Sequence, residues 1–318
     1  MSGDTTEIAL LLPEERGGER LDSLLAELLP QLSRSRIQEL LQAGEIEIDG
    51  QHARPSLRVR GGESVRVLVP PREPEHWLAE PIPLRIVHED AEILVVDKPA
   101  GMLTHPGAGH PQGTLANAVL AHCPANAHLP RAGIVHRLDK DTSGLLVVAK
   151  SEYARQDLIE QLAERSVHRE YIALVQGAMT GGGRVEVPIG RHPQDRLRMT
   201  VRDDGRWART DYRLLERFSR HTLLRLRLAS GRTHQIRVHM RHLGHPLVGD
   251  PVYGGRRIVP PGLDPAALAT WNEFRRQALH AWRLELEHPG DGEHCAWESP
   301  LPEDFEALLA LLRRAPRA

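Results

Sequence analysis

Two helices are predicted near the start of the chain, because apolar residues recur there at helical spacing. The first helix carries five leucines, Leu21, Leu24, Leu25, Leu28 and Leu29. Pro30 ends this helix, since proline cannot continue the helical hydrogen-bond ladder. The second helix carries Ile37, Leu40 and Leu41, and Gly44 suits the position just after its end. Ser35 followed by Gln38 predicts a capping box at the start of this second helix.

An alternating pattern follows and predicts a small sheet. Residues 45–50 alternate polar and apolar side chains and end in Asp-Gly, a strong signal for a tight turn between strands. Residues 65–69 continue the strand pattern, and the proline-rich segment 70–74 resembles a stiff linker. We therefore expect a small α/β domain over residues 18–75.

The remainder of the chain has a different pattern. Strand-like apolar segments separated by Gly, Pro and Asp occur at residues 93–96, 145–149, 171–175 and 223–228. Helices are predicted at residues 114–122, 153–165, 232–243 and 304–313. This mixture predicts an α+β domain over residues 82–318 with a mixed, mainly antiparallel sheet. The Pro-rich and then Ala-rich segment 259–269 is interpreted as a surface insertion.

Composition narrows the class of protein. Hydrophobic residues make up 40% and charged residues 26% of 318, which is typical of a globular protein and excludes a disordered or fibrous chain. We find no apolar segment long enough for a membrane helix and no signal-peptide pattern at the start. Because Cys123 and Cys295 are far apart, a disulfide framework is not expected. We expect a cytoplasmic protein.

Charge is distributed unevenly along the chain. Residues 195–241 contain 13 Arg against five Asp and Glu, a local balance of +8, whereas residues 285–304 carry −7. One interpretation is a basic face that binds a polyanion. The alternative is a solvated face whose arginines pair with the acidic C-terminal segment. Charge alone leaves both open.

A second group of arginines lies in the N-terminal domain. Arg34 and Arg36 are placed at the start of the second helix, where free backbone N–H groups and side-chain charge together favour phosphate. The alternative is a module that contacts another protein. The sequence 20–25 together with 33–50 resembles the S4 RNA-binding domain, and this likeness favours RNA, with Arg34 and Arg36 as binding residues.

The strongest candidate for chemistry is the segment 133–150. Asp139 and Asp141 come immediately before a strongly apolar strand, where charged side chains are costly unless they are paired or functional. A catalytic carboxylate is one interpretation. The other is a structural loop in which Asp139 pairs with the neighbouring Arg137.

Three motifs resemble those of the RluA-type pseudouridine synthases. They are residues 136–150 (His-Arg-Leu-Asp-Lys-Asp-Thr-Ser-Gly onward), 169–175 (Arg-Glu-Tyr-Ile-Ala-Leu-Val) and 231–240 (Gly-Arg-Thr-His-Gln-Ile-Arg onward). The likeness continues through residues 245–255 and 276–280. It implies a pseudouridine synthase fold, with Asp139 as catalytic nucleophile, Tyr171 as the active-site tyrosine and Arg237 as the active-site arginine.

The resemblance also implies the substrate and the chemistry. The expected reaction isomerises uridines of large-subunit (23S) ribosomal RNA to pseudouridine, with ribosomal RNA or a pre-ribosomal particle as partner. Since isomerisation gains and loses no atom, no cofactor and no metal are expected. We expect Arg237 to keep Asp139 ionised, Tyr171 to hold the detached uracil and Arg137 to fill the gap left by a flipped base. A monomer without membrane contact is expected.

Two alternative functions from other classes of protein fit the sequence less well. An assembly factor that binds RNA without catalysis would lack Asp139 or Arg237, and both are present. A glycoside hydrolase that uses Asp139 and Asp141 would favour an aromatic sugar platform, yet aromatic residues are only 4% of the chain. A metal site is not expected, because the histidines, including His122, show no ligand-like pairing in the sequence.

Overall fold

The described residues fall into two units. The computed structural model describes residues 5–32, 34–54, 56–70, 77–107, 109–195 and 197–315. Contacts divide the chain into Met1–Pro74 and Glu75–Ala318. No described helix has the length and apolar character needed to cross a bilayer.

The N-terminal unit contains two helices and a four-stranded antiparallel sheet. Its elements are β1 (Thr6–Leu11), α1 (Leu21–Leu28), α2 (Arg34–Ala43), β2 (Ile46–Ile48), β3 (Gln51–His52) and β4 (Ser64–Val69). The strand order is β1-β4-β2-β3. Buried leucines of α1 pack with α2 and the inner face of the sheet, as their spacing predicts. Strand β1, which pairs along its full length with β4, was not predicted.

The predicted capping box in this unit is wrong. Helix α2 begins at Arg34, so Ser35 lies inside the helix and not at its cap. The Gln38 side chain donates to Asp22 Oδ2 at 2.7 Å instead of reaching back along its own helix.

The larger unit is built on one mixed sheet. Its elements are β5 (Ile86–Glu89), β6 (Ile93–Lys98), α3 (Leu115–His122), β7 (Ser143–Ala149), α4 (Glu152–Glu164), β8 (His168–Gln176), β9 (Gly183–Glu186), β10 (Ile189–Arg191), β11 (Met199–Val201), β12 (Arg209–Arg217), β13 (His221–Leu228), α5 (Gln235–His242), α6 (Pro265–Glu273), β14 (Leu279–Glu287), β15 (His294–Glu298) and α7 (Glu303–Arg314).

Nine strands of the described chain form this sheet in the order β5-β6-β7-β14-β8-β13-β12-β9, with β15 paired to β14. The β7–β14 pair is parallel, and the other pairs in the sheet are antiparallel. The prediction of an α+β fold with a mixed, mainly antiparallel sheet is confirmed.

Helices cover the two faces of the sheet because strands β6, β7 and β8 are apolar on both faces. Side chains of α3 and α5 pack with one face. Those of α6 and α7 pack with the other. Residues 259–269 are mostly exposed, as expected of a surface insertion, and Pro260 is the buried residue among them. They lead into α6, whose Trp271 is fully buried in the second core.

Candidate active site

The loop before β7 holds Asp139, and its backbone is tied down on both sides of that residue. The Thr104 hydroxyl donates to the Leu138 carbonyl at 2.9 Å. The fully buried Lys98 donates from Nζ to three backbone carbonyls, including that of Lys140 at 3.1 Å. Because the neighbours of Asp139 are fixed in this way, its carboxylate has a defined position.

Arg237, on the first turns of α5, connects two carboxylates. Its Nη1 donates to Asp139 Oδ2 at 3.0 Å. Its Nε and Nη2 donate to the two oxygens of Asp250 at 2.7 and 2.9 Å. Asp250 also accepts from the backbone N–H groups of Val252 and Tyr253, each at 2.9 Å. Asp250 therefore fixes one edge of the guanidinium while the other edge faces Asp139.

Burial makes this pairing electrostatically strong. The side chains of Arg237, Asp250 and Asp139 are 6%, 0% and 17% exposed. Burial alone lowers the pKa of Arg237, but hydrogen bonds and charge from the two carboxylates raise it above its ordinary value. Burial alone raises the pKa of Asp250, but the hydrogen bonds and the charge of Arg237 outweigh this effect and lower that pKa below its usual range. Arg237 and Asp250 therefore form a stable ion pair, and Arg237 presents an Nη1 N–H group to Asp139.

The second Asp139 oxygen is left available. Among the described residues, the only side chain that donates to this carboxylate is Arg237, and it does so through Oδ2. In such a carboxylate, the hydrogen-bonded oxygen fixes the orientation of the group, and the other oxygen is free to attack the substrate.

A cavity of about 650 Å³ lies in front of Asp139 and also contains Arg137, Tyr171 and Arg237 in its lining. Tyr171, on β8, is 5% exposed, and burial raises the pKa of its hydroxyl, so that the hydroxyl stays protonated. Arg137 is exposed at the cavity. The structure thus brings together four residues from three separate segments of the chain.

Arg34 and Arg36 lie in the N-terminal unit. Arg34 is 52% exposed and pairs with the buried Asp22 at 3.0 Å. Arg36 is 18% exposed and donates to the Pro70 carbonyl at 2.8 Å. Both arginines therefore have contacts inside their own unit, and Arg34 exposes the larger part of its side chain.

Sequence reasoning missed Asp250 as a site residue, although a signal was present. Asp250 follows the apolar pair Leu247–Val248, a placement that is costly for an unpaired charge. Asp139, which precedes the apolar strand β7, is placed in a similarly costly position. Tyr253 was also missed. Its ring lies 5.0 Å from the Arg237 guanidinium, and its hydroxyl is 2.8 Å from His234 Nδ1.

One histidine has a partner that the sequence did not indicate. His122 ends α3 and its Nε2 is 2.8 Å from Glu89, beside Cys123. Glu89 lies 33 positions before His122, and the fold makes them partners by bringing β5 to the end of this helix. The Lys150 ammonium also binds Glu89 at 2.8 Å, so a cation already occupies this carboxylate.

Comparisons with known proteins agree with this architecture. The sequence model of the RNA pseudouridylate synthase family matches residues 92–242, and that of the S4 domain matches residues 19–65. Two curated bacterial proteins are each 52% identical to this chain, and the alignments cover 95% and 98% of it. The chain belongs to the pseudouridine synthase family, a family of isomerases, and carries an S4 domain.

Both relatives bear the name "Ribosomal large subunit pseudouridine synthase D". One is from Xanthomonas campestris and is covered over 92% of its length, and the other is from Pseudomonas aeruginosa and is covered over 97%. The solved structure of human RNA Pseudouridylate Synthase Domain Containing 4 is 26% identical, with a TM-score of 0.55. It covers 72% of this chain and 92% of its own.

Proposed function

We propose that this protein isomerises specific uridines of large-subunit ribosomal RNA to pseudouridine, with Asp139 as the nucleophile. The observation that carries the proposal is the Arg237–Asp139 contact of 3.0 Å, supported from behind by Asp250. This arrangement holds the Asp139 carboxylate in a fixed position at the lining of a cavity large enough for a nucleotide. The names of the relatives support ribosomal RNA as the substrate.

The reaction proceeds in two covalent steps. The Asp139 carboxylate attacks the target nucleotide, at the ribose C1′ or at the uracil ring, and the N1–C1′ bond breaks. The uracil rotates, C5 bonds to C1′, and the bond to Asp139 is released. C5 loses a proton and N1 gains one, so the atoms balance. Arg237 aims the carboxylate throughout.

Tyr171 and Arg137 act on the base. The ring of Tyr171 offers a flat surface to the detached uracil, and its protonated hydroxyl takes part in moving the C5 proton. Arg137, exposed at the cavity, fills the space that a flipped uridine leaves in the RNA.

The S4 domain supplies affinity. We assign Arg34 and Arg36 to phosphate contacts, with Arg34 the more exposed of the two. The protein acts as a cytoplasmic monomer on ribosomal RNA or on a pre-ribosomal large-subunit particle.

Mapping pseudouridines in ribosomal RNA tests the proposal. In a strain that lacks the gene, specific large-subunit positions lose pseudouridine. The wild-type chain restores them, and Asp139→Asn does not. A deletion strain whose large-subunit RNA keeps every pseudouridine contradicts the proposal. Restoration by Asp139→Asn favours the alternative of an assembly factor.

A further inference from the structure

A second cavity carries much of the basic charge that the active site does not use. Its volume is about 760 Å³, and its lining includes five arginines, Arg165, Arg209, Arg213, Arg225 and Arg227. Four of these lie on β12 and β13, within the segment of local charge +8. The alternative in which this segment pairs with residues 285–304 does not apply to these arginines. Arg225 pairs with Glu170, and Arg209 pairs with Asp211.

The arginines of this cavity outnumber its carboxylates, since its acidic lining residues are Glu170 and Asp211, which lie opposite Arg227 on the two neighbouring strands. Arg165, Arg213 and Arg227 are exposed, and within the described ranges none of them forms an ion pair with a carboxylate. In the β12–β13 register, Arg213 lies directly opposite Arg225. Like charges at opposed positions destabilise a sheet. The excess of positive charge on this surface fits an anionic ligand.

The second cavity lies on the face of the sheet opposite the active site. Successive residues of a strand point to opposite faces, and on β8 Tyr171 lines the active-site cavity whereas Glu170 lines the second one. The two cavities meet at the end of β13, where they share Arg165, Leu228 and Ala229. A flexible polymer can therefore pass from one cavity to the other around this end of the strand.

Arg165 occupies the junction in an unusual conformation. It caps the C-terminus of α4 with φ +68°, a left-handed conformation that normally favours glycine. Its guanidinium lies 4.2 Å from the ring centroid of Trp207, which lines the active-site cavity. Arg232 and Arg206 are close by. The pKa of Arg232 is lowered mainly by burial, and also by the charges of Arg206 and Arg165. Positive charge is therefore concentrated where the two cavities join.

We propose that the second cavity is a phosphate-binding track for the RNA strand that continues from the nucleotide bound in the active site. This inference rests on the proposed function. A nucleotide in the cleft is covalently joined to its neighbours, so the strand has to continue beside it. A planar guanidinium group binds two phosphate oxygens at once, and the Trp207 ring beside Arg165 offers a stacking surface for a base. An acidic protein as ligand would account for the positive charge of the second cavity, but it would not account for the connection between this cavity and the active site.

Binding of single-stranded RNA tests the track independently of catalysis. The probes are labelled oligouridylates of about 6 and about 18 nucleotides, chosen around the usual site sizes for single strands. The variant is Arg213→Ala/Arg227→Ala in the full chain. The matched control is Arg217→Ala/Arg220→Ala, which removes two exposed arginines of the same segment outside both cavities.

We expect the track variant to bind the longer RNA about tenfold more weakly and with a salt slope shallower by about 1.4, as for two lost phosphate contacts. Its binding of the short RNA and the behaviour of the control should match the wild type. Equal effects of the two double variants, or an unchanged preference for the longer RNA, would overturn the proposal. So would loss of polyglutamate binding with RNA binding intact, which points to an acidic protein.

Two further measurements distinguish RNA binding by the track from effects on folding and from the proposed function. Arg165→Gly removes the guanidinium but suits the positive φ, so it should keep the fold and still weaken binding of the longer RNA. Arg165→Lys keeps the charge and should restore part of this binding. If the track variant loses the preference for the longer RNA while the wild-type chain forms no pseudouridine in ribosomal RNA, the track stands and the proposed function fails.

Discussion

Replacing Arg237 with lysine keeps the positive charge but removes the planar guanidinium group that connects Asp139 with Asp250. Arg237 forms three charge-assisted hydrogen bonds, at 3.0, 2.7 and 2.9 Å. Such bonds contribute about 1.5–3 kcal/mol each. A lysine ammonium cannot hold both oxygens of Asp250 and also reach Asp139 in the same geometry, so at least one of these contacts is lost.

The loss should appear in the chemical step. Misalignment of a positioned catalytic group reduces turnover on the order of 100-fold, which corresponds to about 2.7 kcal/mol of activation free energy. The assay is the single-turnover rate of pseudouridine formation at saturating RNA, with RNA affinity measured on the same variant. Affinity should hardly change, because no phosphate contact is removed.

Arg241→Lys is the matched control for this experiment. It makes the same substitution one turn further along α5, where Arg241 is exposed and donates to the Tyr253 carbonyl at 2.8 Å. Its turnover should stay near that of the wild type. The reasoning is refuted if Arg237→Lys reacts at a near-normal rate while its RNA binding weakens and the salt slope falls by about one, as for a phosphate contact.

Three further predictions concern other parts of the molecule. Tyr171→Phe keeps the buried ring but loses the hydroxyl, so release of tritium from C5-labelled uridine RNA should slow by about 10²-fold or more, and an unchanged rate would exclude a role for the hydroxyl. Burial raises the pKa of Asp22, but hydrogen bonds from Arg20, Gln38 and Arg34 lower it below its ordinary value. The stability that Asp22 gives the folded chain is therefore present above the unfolded pKa of about 4 and is lost at lower pH. Amide exchange in α1 should show this acid sensitivity in the wild type and less of it in Asp22→Asn, and equal sensitivity would contradict the assignment. Trp271→Ala should cost about 3–5 kcal/mol in urea denaturation, whereas Tyr153→Ala, at a side chain 66% exposed, should cost less than about 0.5 kcal/mol. Similar losses would contradict the core role of Trp271.

The parts of the fold that the sequence predicted are those with strong local periodicity. Helices α3, α4 and α7 lie within a residue or two of their predicted bounds, because their apolar stripes are regular. Strand β1 and helix α6 lack such a stripe. Strand β1 is an exposed edge strand that is stabilised by its pairing with β4. The buried contact of α6 is the single Trp271, whose neighbours lie on distant elements.

In the candidate site, too, the sequence predicted only what a local pattern shows. A carboxylate beside an apolar strand was visible at Asp139, but no local pattern reveals a partner 98 positions away. The residues alone left Arg237 open to a phosphate role, and only the resemblance indicated an ion pair. Asp250 completes the pair through a tertiary contact that no spacing in the sequence encodes.

Single-turnover kinetics of Asp139→Asn, measured beside Asp141→Asn, tests the central claim most directly. The two variants make the same substitution two positions apart in one loop. We predict that Asp139→Asn binds RNA with wild-type affinity and forms no pseudouridine, whereas Asp141→Asn forms it at a rate close to the wild type. Appreciable pseudouridine formation by Asp139→Asn would contradict the assignment of Asp139 as the nucleophile.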